Sequence, residues 1–347
     1  MSRTTTKAMP SAATHTSGSR SICPAAAGSI LIHPMGSTAW SQLVLLRVDL
    51  GAGERELRAG VLHGSWQMSP KVQRRPIVKI RVGYELIFQC AQATPMILNL
   101  NVHYSRASDL QQPDILRTEP RVPMSMYRDG FGNWCTRVLA PPGRILLTAD
   151  ALISDSGEPD PIVPYARQHA VESLPEETLV YLLGSRYCDT DFLSAFAWQQ
   201  FGHVSLGWPR VQAICDFVHR HLEFGYAYAR PSKSASQAFN ERQGVCRDFA
   251  HLAIAFCRCL NIPARYCTGY LGDIGVPRDP APMDFSGWME VYLGDAWHVF
   301  DPRHNQRRIG RVLIARGRDA ADVAISMAFG PNILESFRVW TDEVNSD

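Results

Sequence analysis

The sequence predicts an α+β fold in which a small β region precedes a domain of helices and antiparallel strands. Two patterns in the 347 residues carry this prediction. Apolar and polar residues alternate from Val78 to Gln89, which is the period of a strand with one buried face. Cys246–Leu260 is apolar nearly all round, as expected of a buried helix, and three strand-like segments follow it. Helices followed by an antiparallel sheet are typical of the α+β class.

Short apolar runs separated by turn residues continue after the first strand. Met96–Tyr104 is a second run, and the turn residues of Asp129–Trp134 separate further strands. This pattern predicts a small sandwich-like β domain at residues 76–160. Ser156–Pro164 is rich in proline and indicates a linker to the second domain, which is predicted at residues 161–347.

Composition argues against several classes of protein. The net charge of +2 gives no global attraction to nucleic acid or to a membrane surface. No segment approaches the roughly 18 apolar residues of a membrane span, and the Ser/Thr/Ala-rich residues 1–75 are predicted to be a disordered leader. Nine cysteines without a Cys-x-x-Cys pair favour reduced thiols and a cytoplasmic protein. No metal-ligand spacing or nucleotide fingerprint is present, so we expect no cofactor.

Cys246 stands at the predicted start of the buried helix. The unpaired N–H groups and the dipole at a helix N-terminus favour a negative charge. They are expected to lower the pKa of this thiol and to bind the oxyanion of a tetrahedral intermediate. The alternative is a buried structural cysteine, which is the expectation for most of the other eight.

A hairpin is predicted where Gly294 and Asp295 join two strand-like segments. In that register paired positions sum to 589, so Asp301 faces Trp288. Ser286 then becomes a diagonal neighbour of Asp301, about 7–8 Å away. This is the spacing required between a base and the acid that orients it.

Four motifs follow one another: Gly-Val-Cys246-Arg-Asp, Ile-Pro-Ala-Arg with Gly-Tyr, Asp-Phe-Ser286-Gly-Trp-Met-Glu-Val, and Phe-Asp301-Pro. Their order resembles the core of the transglutaminase-like superfamily, a branch of the papain-type cysteine enzymes. The resemblance implies a papain-like core, and the preceding β region looks like the N-terminal domain of bacterial members. It also implies that Cys246 is the nucleophile and Asp301 the orienting acid. The family usually has His-Ala-Trp where this chain has Ser286, Gly287 and Trp288, so a serine occupies the histidine position.

Serine does not titrate near neutral pH and cannot replace histidine as a base. Three interpretations remain open. A base could come from elsewhere, and His304 is the nearest candidate, although a solvated loop position is the simpler expectation for it. The helix-activated thiol could instead work without an imidazole. The third interpretation is a pseudoenzyme whose groove binds a peptide or a protein partner. His251 and His298 are expected to face away from the thiol.

The activity that the resemblance implies is acyl transfer or hydrolysis at an amide carbonyl, either of a glutamine side chain or of a peptide bond. Cys246 would form a thioester, Asp301 would orient a base, and Ser286 would contribute at most a hydrogen bond. The expected partner is a peptide or protein substrate, and no nucleic acid, membrane, cofactor or metal is expected. Tyr226 and Tyr228 are candidates for a second oxyanion donor, with core packing as the alternative.

Overall fold

The computed structural model describes residues 77–344, and the leader predicted at residues 1–75 lies outside this range. Strands make up the first part of the described chain, helices the middle and strands again the last part. The strands are β1 (Val78–Cys90), β2 (Thr94–Leu98), β3 (Leu110–Gln112), β4 (Arg117–Glu119), β5 (Met124–Arg128), β6 (Trp134–Ala140), β7 (Gly143–Asp155), β8 (Glu223–Phe224), β9 (Gln243–Gly244), β10 (Ala264–Tyr270), β11 (Ser286–Leu293), β12 (Ala296–Phe300), β13 (Val312–Gly317), β14 (Ser326–Ala328) and β15 (Asn332–Val344). The α-helices are α1 (Glu176–Leu179), α2 (Ser194–Phe201), α3 (Trp208–His221), α4 (Ala235–Glu241) and α5 (Cys246–Cys259). Short 3-10 helices span Tyr104–Asp109, Val171–Ser173, Val180–Leu182 and Tyr226–Tyr228.

The N-terminal β region contains two antiparallel sheets. One has the order β15-β1-β7-β3, with β4 also paired to β7, and the other has the order β14-β2-β6-β5. The alternation in β1 is confirmed, because Ile80, Val82 and Tyr84 are fully buried. Their burial against the other elements, rather than strand propensity alone, fixes the register of β1.

Two strands of the N-terminal sheets come from the far end of the described chain. β15 pairs with β1 along almost its whole length, and β14 pairs with β2. The domain boundary at residue 160 stays a prediction. The structure adds that β14 and β15, which lie in the predicted second domain, complete the sheets of the first. All the described residues belong to one compact unit.

The second part of the fold places helix α5 against a four-stranded antiparallel sheet with the order β12-β11-β10-β13. The predicted α+β class is confirmed, as is the presence of the N-terminal β region. Helix α5 is apolar on most sides because α3 and α4 also pack on it. Strand β10 is buried along its entire length.

The predicted hairpin between β11 and β12 is confirmed in turn and in register. Gly294 and Asp295 both have positive φ angles, 55° and 67°, as a tight two-residue turn requires. Leu293 pairs with Ala296 and Met289 with Phe300, so paired positions sum to 589. The hairpin therefore brings the end of β12, with Asp301, back beside the start of β11.

Candidate active site

Cys246 is the first residue of helix α5, and two neighbours fix that start. The Asp248 carboxylate accepts a hydrogen bond from the Val245 backbone N–H at 3.0 Å and so caps the start of the helix. Gly244 leaves room for it, because a Cβ there would lie 2.6 Å from the Asp248 Cβ. Cys246 is partly exposed, whereas the other seven cysteines among the described residues are buried.

The expectation that the helix terminus lowers the pKa of the Cys246 thiol is wrong. Burial raises this pKa to about 11, and the negative charges of Asp284 and Asp301 add to the effect. The backbone amide of Gly287 and the charge of Arg303 oppose it without reversing it. The resting thiol is therefore protonated at neutral pH, and it needs a base at the moment of attack.

Asp301 follows β12 and is nearly fully buried. Its Oδ1 accepts the backbone N–H groups of Arg303 and His304, each at 3.1 Å. Its Oδ2 accepts from His304 Nδ1 and from Arg311 Nη2, each at 2.8 Å. Burial opposes ionisation, but the charge of Arg311 and the hydrogen bonds from His304 outweigh it and hold the pKa of Asp301 far below its ordinary value. The carboxylate is thus charged and fully engaged as an acceptor.

His304 is not the solvated loop residue that the sequence favours. Its side chain is only 15% exposed. Since the Asp301 carboxylate can only accept, His304 Nδ1 carries the proton and Nε2 holds the free electron pair. Burial lowers the pKa of His304 below its ordinary value, although Asp301 opposes this shift. The imidazole is therefore neutral at pH 7 and oriented by a carboxylate, as a general base should be.

Arg303 competes for the free electron pair of His304. Its Nη1 donates to His304 Nε2, and its guanidinium lies 3.9 Å from the centre of the Phe224 ring. Arg303 must therefore turn away before His304 Nε2 can accept a proton from another group.

Cys246, Ser286 and His304 line one pocket of about 70 Å³. The rest of its wall is formed by Phe224, Tyr226, a segment at residues 271–285, Arg303 and Arg308. A cavity of this size is several times the roughly 10–15 Å³ needed to hold one water molecule. The pocket thus joins the predicted nucleophile to the imidazole that Asp301 orients.

Ser286 lies at the start of β11, where the family histidine is expected. Its backbone oxygen accepts from the Thr268 hydroxyl at 3.2 Å. Its own hydroxyl makes no hydrogen bond to the described part of the chain, Asp301 included. The carboxylate that is predicted to orient a group at position 286 is bonded to His304 instead.

Other predicted site residues separate into two groups. Tyr226 is 48% exposed and lines the pocket, against the expectation of core packing. The Tyr228 hydroxyl lies 3.2 Å from a Glu223 carboxylate oxygen and is directed to that group.

His251 is buried, with Nε2 accepting the Ala320 N–H at 3.1 Å, and His298 Nε2 bonds the Leu293 carbonyl. Neither histidine lines the pocket of Cys246.

Sequence reasoning missed Arg311 and Asp160. Arg311 is buried between the carboxylates of Asp301 and Asp160, at 2.8 and 2.9 Å. A buried arginine is a signal for an ion pair once burial is known. Nothing in the local pattern around either residue indicates its partner.

Residues 77–344 contain neither a candidate membrane-spanning helix nor a candidate metal cluster. No helix there is long and apolar enough to cross a bilayer. No group of three or more His, Cys, Asp or Glu side chains in that range is arranged to hold a metal ion.

Residues 200–302 match the family model described as the transglutaminase-like superfamily. The resemblance found in the sequence is therefore confirmed, since this part of the chain matches a transglutaminase-like domain. The matched span contains Cys246, Ser286 and Asp301 but ends before His304.

Individual proteins are also similar to this chain. The crystal structure of a candidate cysteine protease from Cytophaga hutchinsonii superposes with a TM-score of 0.68 at 28% identity, covering 79% of this chain and 93% of that one. An uncharacterised protein of Mycobacterium tuberculosis is 28% identical over 224 residues, which are 57% of this chain and 69% of the relative. Another from Mycobacterium leprae is 32% identical over 121 residues, covering 33% of this chain and 42% of the relative.

Proposed function

We propose that this chain is a thiol-dependent enzyme that transfers or hydrolyses the acyl group of an amide. Cys246 is the nucleophile, His304 the general base and Asp301 the residue that orients it. One observation carries the proposal: the imidazole bonded to Asp301 lines the same pocket as the Cys246 thiol. The similarity to a candidate cysteine protease supports the same class of chemistry.

The reaction begins from a neutral thiol and a neutral imidazole. After Arg303 turns away, His304 Nε2 takes the thiol proton while the Cys246 sulfur attacks the amide carbon. The tetrahedral oxyanion is bound by the backbone N–H of Cys246 in the first helical turn, with the Tyr226 hydroxyl as a second donor. The carbon–nitrogen bond then breaks, the amine leaves with the proton from His304, and a Cys246 thioester remains.

The thioester is resolved by water or by a second amine. The incoming group attacks the acyl carbon and passes a proton to His304. The carbon–sulfur bond breaks, and the Cys246 thiolate recovers that proton. Asp301 keeps Nδ1 protonated and stabilises the imidazolium that forms twice in the cycle, as the acid of a catalytic triad does. Ser286 takes no part in proton transfer.

The roles are tested with a casein or glutamine-peptide substrate, by following both ammonia release and peptide cleavage. Cys246→Ala should abolish turnover, and His304→Ala should lower kcat/KM by about 10²–10⁴-fold, the usual contribution of a general base. His169→Ala is the matched control, since His169 also pairs with a carboxylate, that of Asp295. Activity of His304→Ala equal to the parent would exclude His304 as the base.

The alternative is a pseudoenzyme that uses the groove to bind a peptide or a protein partner. Alkylation of Cys246 by iodoacetamide separates the two functions. Preferential labelling of Cys246 over the other seven described cysteines would report only its exposure, because those seven are buried. The informative result is a rate at pH 7 that falls in His304→Ala but not in His169→Ala. Equal rates in all three proteins, together with no turnover, would favour the binding module.

A further inference from the structure

Asp160, in the proline-rich segment after β7, reaches the loop that carries His304. Its Oδ2 accepts from Arg311 Nε at 2.9 Å. Arg311 Nη2 in turn donates to Asp301 Oδ2 at 2.8 Å, and that same oxygen accepts from His304 Nδ1. A chain of charge-assisted hydrogen bonds thus runs from Asp160 to the imidazole, across 144 residues of sequence.

The charges along this chain do not cancel. The side chain of Arg311 is 6% exposed, and those of Asp301 and Asp160 are 3% and 17% exposed. One guanidinium therefore lies between two carboxylates in a region of low dielectric, where charges interact strongly. The group of three carries a net charge of −1, which favours the positive imidazolium of His304. If Asp160 were neutral, the charges of Arg311 and Asp301 would cancel. The net negative charge that favours the imidazolium of His304 would then be lost.

Asp160 also holds the backbone between His304 and Arg311. Its N–H donates to the Arg308 carbonyl at 2.9 Å, and its carboxylate accepts the Arg308 N–H at 3.1 Å. Arg307 Nε donates to the Asp160 carbonyl at 2.6 Å. The segment predicted as a simple linker therefore fixes the loop that presents the imidazole.

We propose that Asp160 is a positioning residue of the active site, acting through Arg311 to supply the uncompensated negative charge that supports the imidazolium of His304. This rests on the proposed function, in which His304 is the general base. Two positive charges oppose this support. Arg303 donates from Nη1 to His304 Nε2 while its guanidinium lies on Phe224, and Arg308 pairs with Asp273 at 3.2 Å. The negative charge of Asp284, which lines the pocket, raises the pKa of the Cys246 thiol.

The test is the pH dependence of Cys246 alkylation by iodoacetamide in Asp160→Asn. Asparagine keeps an oxygen acceptor for Arg308 and Arg311 but removes the charge. We expect the midpoint of the acid limb to move about half a unit to lower pH, because the imidazolium is less favoured, and the plateau rate to fall several-fold, because a weaker base transfers protons more slowly. Asp160→Glu, which restores the charge, should return the midpoint towards that of the parent.

Asp322→Asn is the matched control. Asp322 accepts both the backbone N–H and the Nε of Arg318, each at 2.9 Å, and its side chain is 13% exposed. Like Asp160, it accepts one backbone N–H and one arginine Nε, and it does not line the pocket of Cys246. Its neutralisation should leave midpoint and plateau at the parent values.

Three outcomes overturn the proposal about Asp160. One is a profile of Asp160→Asn that coincides with the parent. Another is a lower plateau with an unchanged midpoint, which would indicate a purely structural role. The third is an effect of Asp160→Asn that persists in a His304→Ala background. If Asp160→Asn does not fold, Asp160→Ser provides a second neutral variant.

A different result would refute the role of His304 and with it the proposed function. That result is an acid limb of the pH profile that is the same in His304→Ala as in the parent.

Discussion

At the scale of single residues, the protonation state of His304 depends on burial and on the carboxylate beside it. Burial lowers the pKa of His304, Asp301 raises it, and the charge of Arg303 lowers it again. The net shift leaves the imidazole neutral, and therefore able to act as a base, at a lower pH than an ordinary histidine.

This shift determines the acid side of the pH profile. The basic form of His304 is present above its pKa and is lost as the pH falls through it. That pKa lies below 6.5, so we expect kcat/KM at pH 6.5 to exceed half of its maximum and to fall through the midpoint only at lower pH. The Cys246 thiol, with a pKa of about 11, adds no ionisation of its own between pH 6.5 and 9. A midpoint of the acid limb above pH 6.5, measured under kcat/KM conditions, would contradict this assignment.

Sequence patterns identify part of this site and not the rest, for a physical reason. Cys246 and Asp301 stand at the ends of regular elements, where helix geometry and strand period fix their positions. His304 follows Pro302, in a loop whose path depends on the hydrogen bonds that Asp301 makes to it. Asp160 meets Arg311 only after the whole unit has folded, so no local pattern marks that pair.

At the scale of elements, the β11–β12 hairpin could be predicted in full because its turn chemistry is local. Gly294 and Asp295 supply the two positive φ angles, and the period of two then assigns every side chain to a face. The start of α5 could be predicted from its apolar pattern. The protonation state of Cys246 could not, because the burial of the thiol outweighs the helix terminus.

The start of α5 depends on space at Gly244, since a Cβ there would lie 2.6 Å from the Asp248 Cβ and 2.9 Å from its Oδ2. We expect Gly244→Ala to displace the Asp248 cap and to lower the free energy of unfolding by about 1–3 kcal/mol, as overpacking does. The rate of Cys246 alkylation should also change, because the Asp248 cap is displaced. Urea denaturation measures the loss, and Gly130→Ala is the control because nothing lies within 4 Å of a Cβ there. Equal unfolding midpoints for the two variants would show that Asp248 does not depend on this space.

At the scale of the whole molecule, the last strand completes an N-terminal sheet and also supports the wall of the active-site pocket. Strand β15 pairs with β1, and the ring of Phe337 lies 5.8 Å from that of Phe285, centre to centre. The Thr341 N–H donates to the Met283 sulfur at 3.2 Å. Phe285 and Met283 both line the pocket with Cys246. This return of the chain could not be predicted from sequence, because pairing between distant strands leaves no local pattern.

We therefore expect a substitution on β15 to change the local stability of the pocket wall. Phe337→Ala removes a ring contact worth about 0.5–1.5 kcal/mol and should speed amide hydrogen exchange in residues 271–285 by several-fold. Alkylation of Cys246 by a small reagent should remain at the parent rate, because the charges around the thiol and His304 are unchanged. Ile333→Ala is the control, since Ile333 lies on the same strand and is 67% exposed. If exchange in 271–285 is the same in both variants, β15 does not support the wall through Phe337, and the pocket is held by its own sheet alone.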